Sequence, residues 1–293
     1  MKILVTGANG QLAWELKQTQ ASEHEVVYLS RSDLDISQSD QVQACLDKYS
    51  PDALINTAAY TAVDRAETDS DTAYAVNRDG VKNLAQACQG HNCYLLHIST
   101  DFVFDGKANT PLTTTANIDP VSIYGKSKAE GEQALAEHMT GQWAIIRTAW
   151  VYSSHGANFV KTMLKLMADK PTLGIIADQI GSPTWANGLA LACWEALNNR
   201  SEGLFHWTDA GVASWYDFAV AIQDIAIEKG LLEKHIPIKP ITTVDYPTPA
   251  ARPPYSVLDK SAILSAHPNL EQQHWRTQLT HMLEAVKRNT TDS

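Results

Sequence analysis

The sequence predicts an α/β protein in which a doubly wound parallel sheet is followed by a smaller α/β substrate-binding domain. Three observations predict it. Short apolar runs alternate with stretches of helical spacing through the first half, a glycine-rich turn follows directly on the first run, and prolines break the pattern into shorter pieces beyond Trp150.

Lys2 to Thr6 reads as a buried strand that stops at Gly7 and Gly10, and helix formers at helical spacing follow from Gln11 to Gln20. The alternation repeats with expected strands at Glu25 to Leu29, Ala53 to Asn56 and Cys93 to Ser99, and expected helices at Ser37 to Tyr49 and near Asp71 to Gln89. An expected helix from Tyr124 to His138, with Glu130, Glu132 and Glu137 on its solvated side, and a strand from Trp143 to Thr148 complete a domain spanning 1–150. Repeated βα units imply parallel strands, since each helix carries the chain back to the edge it left. In residues 151–293, Pro171, Pro183, Pro237, Pro240 and the stretch from Tyr246 to Pro254 interrupt shorter elements. This half is expected to form the smaller domain and to return a strand near 172–177 to the main sheet. There are no internal repeats, and Arg288 to Ser293 reads as a polar tail.

With 293 residues, 44 % of them hydrophobic, the chain can fill a core unaided. The 33 acidic residues outnumber the 23 basic ones for a net charge of −10, and no basic run is present to track phosphates, which argues against a nucleic-acid partner. Cys45, Cys88, Cys93 and Cys193 are scattered without metal-site spacing, so no metal is assigned to them and they read as reduced thiols. The opening apolar run is too short for a secretion signal, and nothing approaches the roughly 18 apolar residues of a membrane span. A cytoplasmic location is expected.

In V-T-G-A-N-G-Q-L-A, Gly7 allows a tight turn, Gly10 allows backbone to approach a pyrophosphate, and Ala13 keeps the helix close to the strand. The phosphates would meet the helix N-terminus. The residue ending the second strand reads the adenosine ribose: an acid holds the 2′-hydroxyl of NAD, a basic residue accommodates the 2′-phosphate of NADP. Here the stretch is Leu29-Ser30-Arg31, which points to NADPH, with a solvated loop charge as the other reading of Arg31 and with Asp33 or Asp35 also near the adenosine end. The context is that of a Rossmann-type sheet.

Tyr124 and Lys128 stand four residues apart at the start of a helix and so share one face. A cation beside a phenol favours phenolate and draws its pKa toward working pH, as a general acid requires. Ser99 and Thr100, at the end of a strand where ligand crevices form, supply hydroxyls that could orient a carbonyl. An ordinary surface pair is the alternative on spacing alone.

With these residues in place, the sequence closely resembles the dTDP-4-dehydrorhamnose reductases among the extended short-chain dehydrogenase/reductases. The resemblance runs over nearly the whole chain: TGANGQL at 6–12, LDI at 34–36, INTAAYTAVDRAE at 55–67, STDFVFDG at 99–106, YGKSK at 124–128, RTAWVY at 147–152, NFVKTML at 158–164, DQIGSPT at 178–184 and YPTPAARP at 246–253. It implies reduction of the 4-keto group of dTDP-4-dehydro-L-rhamnose to dTDP-L-rhamnose by hydride from NADPH, with NADH as the alternative donor. Tyr124 would protonate the nascent alkoxide, Lys128 would hold the nicotinamide ribose and lower the tyrosine pKa, and Thr100 would tune the hydrogen bond to the carbonyl. Gly7, Asn9, Gly10, Gln11, Leu12, Arg31, Asp35, Ile36, Ala59, Tyr60, Thr61, Ser99, Tyr124 and Lys128 fall at cofactor positions, and Thr100, Asp101, Trp150, Asn158 and Arg252 at substrate positions. Core packing is the alternative for Ile36, Ala59 and Trp150, a helix cap for Asp35, and a surface charge for Arg252.

Departures from the family pattern are Ala13 at the third glycine, Phe102 in place of a frequent tyrosine, and Tyr255 in place of an asparagine. Some members bind magnesium between subunits through glutamates. Glu15 matches one of these and Asn187 stands where another is expected, so magnesium and a homodimer both stay open and a metal-linked dimer is not assumed. Two competing readings are a nucleotide-sugar epimerase or dehydratase of the same superfamily and a non-catalytic NADP-binding regulatory subunit.

Overall fold

The computed structural model describes residues 1–291. Its centre is a six-stranded sheet built on β1 (Lys2–Thr6), β2 (Glu25–Leu29), β3 (Ala53–Asn56), β4 (Tyr94–Thr100) and β5 (Trp143–Thr148), with the strand Gly203–His206 at one edge. The order is Gly203–His206, β5, β4, β3, β1, β2, and every neighbouring pair is parallel. Because side chains alternate across a strand, the apolar runs divide between two faces. Ile3, Val5, Ile55, Leu96 and Ile146 pack on one side with α1 (Gln11–Thr19) and with the helix Ala186–Asn198. Leu4, Leu54, Leu95 and Ile145 pack on the other with α2 (Ser39–Tyr49) and with the helices Gly80–His91 and Ile123–His138. Helices on both faces make the sheet doubly wound.

The long helix expected near 71–89 is broken. Two short helices, α3 (Val63–Ala66) and α4 (Ser70–Tyr74), precede a π turn at Ala75–Asp79, after which α5 (Gly80–His91) continues. The extra residue of a π turn rotates one side chain out of helical register, and here buried Asn77 points into the fold, where its Nδ2 donates to Tyr60 O (3.0 Å) and Ser127 Oγ (3.0 Å).

α6 (Ile123–His138) corrects another expectation. Glu132 is not on a solvated side: it is buried and forms a bidentate pair with Arg147 of β5, accepting from Nε at 2.9 Å and Nη2 at 2.6 Å. Glu130 is half-buried against Arg78, and Glu137 alone of the three is exposed. The helix can lie this close to its neighbours because Gly125 and Gly131 face the carbonyls of Phe102 and Asn77, with which a Cβ would collide.

The second half contains α7 (Phe159–Asp169), α8 (Ala186–Asn198) and α9 (Trp215–Glu228), which share a core that includes Tyr152, Met163, Phe218, Ile222 and Leu279, except that α8 packs on α1 instead. The strand Leu173–Ile176 does not return to the main sheet. It pairs in parallel with Ile238–Ile241 in a separate two-stranded ribbon, and the strand that does return is Gly203–His206, beside β5. α8, buried along most of its apolar length, brings the chain back across the sheet and delivers Gly203–His206 to that edge. The polar tail is helical up to Thr291 as part of Trp275–Thr291, and Asp292 and Ser293 lie outside the described residues. All four cysteines are buried and unpaired, and among the described residues no helix is long and apolar enough to cross a membrane.

Candidate active site

All main-sheet strands run the same way, so the ligand crevice opens at their carboxyl ends. β1 stops at Gly7, whose φ of 73° is in the left-handed region and whose Cβ, if present, would lie 2.9 Å from Ala58 N. Only glycine fits. The turn closes with Gly10 N–H donating to Gly7 O at 2.8 Å, and α1 begins with no side chain capping its first amides. Those amides face a cleft of about 550 Å³ lined by Gly7, Asn9, Gly10, Gln11, Leu12, Arg31, Asp35, Ile36, Ala59, Tyr60 and Thr61, together with Gly156 and Ala157. The structure thus gathers into one cleft eleven residues that the sequence placed at cofactor positions. Ile36 is at the same time buried in the core, beneath Gly80.

Beyond the end of β2, exposed Arg31 donates through Nε and Nη2 to Asp35 Oδ2, both at 3.3 Å. The other oxygen of Asp35 accepts from Ser37 N (3.0 Å) and Oγ (2.7 Å). Partial burial pushes the Asp35 pKa up, and the Ser37 hydrogen bonds and the Arg31 charge outweigh it and hold the carboxyl below the usual range.

Ser99 and Thr100 end β4. Ser99 Oγ is buried without a protein partner, a polar atom left for a ligand, while Thr100 Oγ1 donates to Asp101 Oδ1 (3.1 Å) and accepts from Phe102 N (3.2 Å). Asp101 is fully buried with Oδ2 unpartnered, and burial raises its carboxyl to about 6 against the pull of hydrogen bonds from Ser256 and Thr100. Ser122 caps α6 by accepting from Gly125 N (3.2 Å), which sets Tyr124 in the first helical turn, edge-on to Phe102 at 5.5 Å between rings. Burial lifts the Tyr124 phenol to about 12; Thr100 opposes that rise and the Asp101 charge adds to it.

Lys128, one turn on, is buried, and desolvation brings it down to about 8. Its Nζ donates to Ile98 O at 2.7 Å and meets His97 Nε2 at 3.2 Å. The sequence expected Lys128 to draw the phenol pKa down. Its contacts are with β4 instead, and burial dominates the phenol.

The remaining positions expected to bind substrate lie in the chain from Trp150 onward. Trp150 has a φ of 50°, rare for a bulky residue, and its ring lies 3.6 Å from that of Trp215 and directly over Gly181. Asn158 caps α7, and its Nδ2 donates to Gln11 Oε1 (2.9 Å) and Ser153 O (2.7 Å), which places it against the dinucleotide turn. Arg252 is a paired cation: it donates to both oxygens of Asp64, at 3.0 and 2.8 Å, and ties the 246–253 stretch to α3. Glu15 does not fit an intersubunit metal site, because its buried carboxylate is enclosed by donors of its own chain, Ser153 Oγ (2.7 Å), Trp185 Nε1 (2.9 Å) and Asn187 Nδ2 (3.1 Å). Among the described residues no group of three or more His, Cys, Asp or Glu could hold a metal ion.

Asn56, Asn77 and His97 were not singled out from the sequence, yet they hold the site together. The one signal for Asn56 and His97 is a polar residue in an otherwise apolar strand, ALIN and YLLHIST, and Asn77, in the π turn, has none. Gly125 ties the site to its scaffold: Gly125→Ala is expected to force the first turn of α6 away from Phe102 and, by displacing Tyr124, to lower turnover on the order of 10²-fold. Steady-state kinetics checks this, and an unchanged kcat would show that the close approach is not needed.

A family model described as the RmlD substrate binding domain matches residues 1–288. The chain is 40 % identical over 289 residues to a dTDP-4-dehydrorhamnose reductase from Aggregatibacter actinomycetemcomitans, covering 96 % of this chain and 98 % of the relative. Among solved structures, it is similar to a dTDP-4-dehydrorhamnose reductase from Clostridium acetobutylicum (TM-score 0.92, 39 % identity, 98 % of this chain and 100 % of that one). It is similar too to one from Bacillus anthracis in complex with NADP (TM-score 0.91, 33 % identity, 97 % and 99 %). With the dinucleotide turn, the Tyr124–Lys128 helix and this extent of likeness together, the chain belongs to the dTDP-4-dehydrorhamnose reductase family.

Proposed function

We propose that this protein reduces the 4-keto group of dTDP-4-dehydro-L-rhamnose to dTDP-L-rhamnose with NADPH, Tyr124 serving as proton donor. One observation carries the reading: a cleft with an open helix N-terminus and a glycine cradle lies at the same carboxyl end of the sheet as a buried phenol that stands beside Thr100 and one helical turn from Lys128. The residues present fit the cofactor. The α1 amides and Gly10 would hold the pyrophosphate, Arg31 and Asp35 the adenosine ribose, Ala59 to Thr61 the middle, and Ser99 and Lys128 the nicotinamide end. NADPH bound there supplies the hydride.

Tyr124, held near 12, keeps its proton until charge develops on the substrate oxygen, and Thr100 fixes the direction in which the proton is offered. Trp150 and Asp101 line the sugar side, and Arg252 and Asn158 would serve the nucleotide diphosphate by reorienting from Asp64 and Gln11. The second half holds the sugar nucleotide, and the enzyme works in the cytoplasm.

The test follows NADPH oxidation at fixed enzyme across 4-keto sugar nucleotides that differ in base and sugar. Turnover of the dTDP-linked 4-keto-6-deoxy sugar above the others is expected, and consumption of none of them sinks the reading. Arg31→Ala, which removes a charge-assisted contact to a 2′-phosphate, is expected to raise the KM for NADPH about tenfold and leave that for NADH nearly unchanged. Equal shifts for both would assign Arg31 no part in discrimination.

A further inference from the structure

The geometry points to His97 as a positioning residue for this reaction, one that fixes the Nζ of Lys128 from inside the sheet; the inference rests on the role given to Lys128 above. Four buried side chains form a line across three adjacent strands and into α6. Thr6 Oγ1 on β1 lies 2.6 Å from the carboxamide of Asn56 on β3, the other end of that carboxamide lies 2.9 Å from His97 Nδ1 on β4, and His97 Nε2 lies 3.2 Å from Lys128 Nζ. His97, Asn56 and Thr6 are all at most 1 % exposed. Three polar residues at the heart of an apolar sheet are costly unless they satisfy one another, and they do so only as a set.

The donor count explains what the line is for. An ammonium has three N–H groups. On Lys128 one goes to Ile98 O at 2.7 Å and one meets His97, so a single donor is left for a ligand, and its direction is set by the other two. Without His97 the four-carbon stem of the lysine would be anchored at one point and could turn about it. The other charge acting on Nζ does not replace this anchor: Glu132, one turn along α6, acts on Lys128 through its charge and is itself committed to Arg147.

The line accepts either charge state of the lysine. His97 stays neutral, since burial and the Lys128 charge both press its pKa well below the ordinary value, so one ring nitrogen donates and the other accepts. With the carbonyl of Asn56 taking Thr6 Oγ1–H and Ala58 N–H (3.2 Å), the ring proton sits on Nε2 and suits an uncharged amine. With the carboxamide turned over, Ala58 N–H falls to Thr6 Oγ1 at 3.3 Å, the ring proton sits on Nδ1, and Nε2 accepts from the ammonium. The line ends at buried Thr6, which makes it an anchor and not a proton exit.

Three variants separate anchoring from packing. His97→Gln places an amide near the Nε2 position, His97→Asn places one near Nδ1 only, and His97→Phe places neither. Steady-state kinetics with the keto sugar nucleotide and fluorescence titration of NADPH are read on each, with circular dichroism to confirm folding. The expected result is a kcat at least tenfold lower for His97→Phe and His97→Asn at an unchanged sugar KM, with weaker NADPH binding, and a His97→Gln enzyme within about threefold of the parent. A His97→Phe protein with parental kcat and NADPH affinity overturns the inference, and so does a folded His97→Gln protein as impaired as His97→Phe. If the parent enzyme consumes no keto sugar, the functional reading fails by itself, and the order of NADPH affinities (parent and Gln above Asn and Phe) still decides the anchor.

Discussion

Tyr124→Phe is expected to lower kcat for NADPH-dependent keto-sugar reduction by about 10²–10⁴-fold, the range that one positioned general acid supplies. The change removes one oxygen from a buried ring that keeps its edge-on contact with Phe102 and its place among Ala66 and Ala73, so folding should survive. Because the cofactor cleft is lined by other residues, the dissociation constant for NADPH should move little while kcat collapses. A Tyr124→Phe enzyme with undiminished turnover would remove the phenol from the chemistry and leave Thr100 or solvent as the proton source.

The largest effect on stability is expected at Glu132→Ala. The Glu132 and Arg147 side chains are 8 % and 4 % exposed, and the guanidinium also stacks over the Phe104 ring and lies 3.5 Å from His206 Nε2. Removing the carboxylate leaves a buried cation without its anion, which typically costs about 3–5 kcal/mol. Burial presses His206 down to about 4, so it stays neutral at ordinary pH and supplies no second positive charge. Urea unfolding followed by circular dichroism measures the loss, and a change below about 1 kcal/mol would mean that water or a neighbouring group compensates the arginine. Lys128 should respond as well, since the nearby Glu132 charge raises its pKa and the variant removes that support.

What the sequence made legible was local. Gly7 and Gly10 declare themselves because a turn that tight needs a left-handed φ and a backbone without Cβ, and both requirements act within a few residues. β1 to β5 are legible because a strand in a sheet covered by helices on both faces is apolar over most of its length. The failures are pairings at a distance. Glu132 looked solvated because a glutamate on a helix carries no mark of an arginine fifteen residues later in a neighbouring strand. Leu173–Ile176 and Gly203–His206 are both short and apolar, and their placement depends on which meets a free partner: Ile238–Ile241 for one, the edge of β5 for the other. Asn77 was invisible because a π turn has no sequence signature, and Arg252 looked like a free cation because Asp64 is far away in the chain.

Gly203–His206 lengthens the main sheet and α8 covers α1, so the chain crosses from one half to the other more than once. Such threading makes Gly203–His206 and α8 part of the sheet's own body, and the second half of the chain is discontinuous in space. The halves cannot swing about a single connecting strand without tearing hydrogen bonds from β5 and stripping apolar cover from α1. Any tightening around a bound sugar nucleotide must come from segments hung outside the sheet, among them the 246–253 stretch and the chain around Trp150. Ser99, Thr100, Tyr124 and Lys128 all stand on that body, on β4 and α6, so in the proposed reaction they would keep their register while outlying segments adjust.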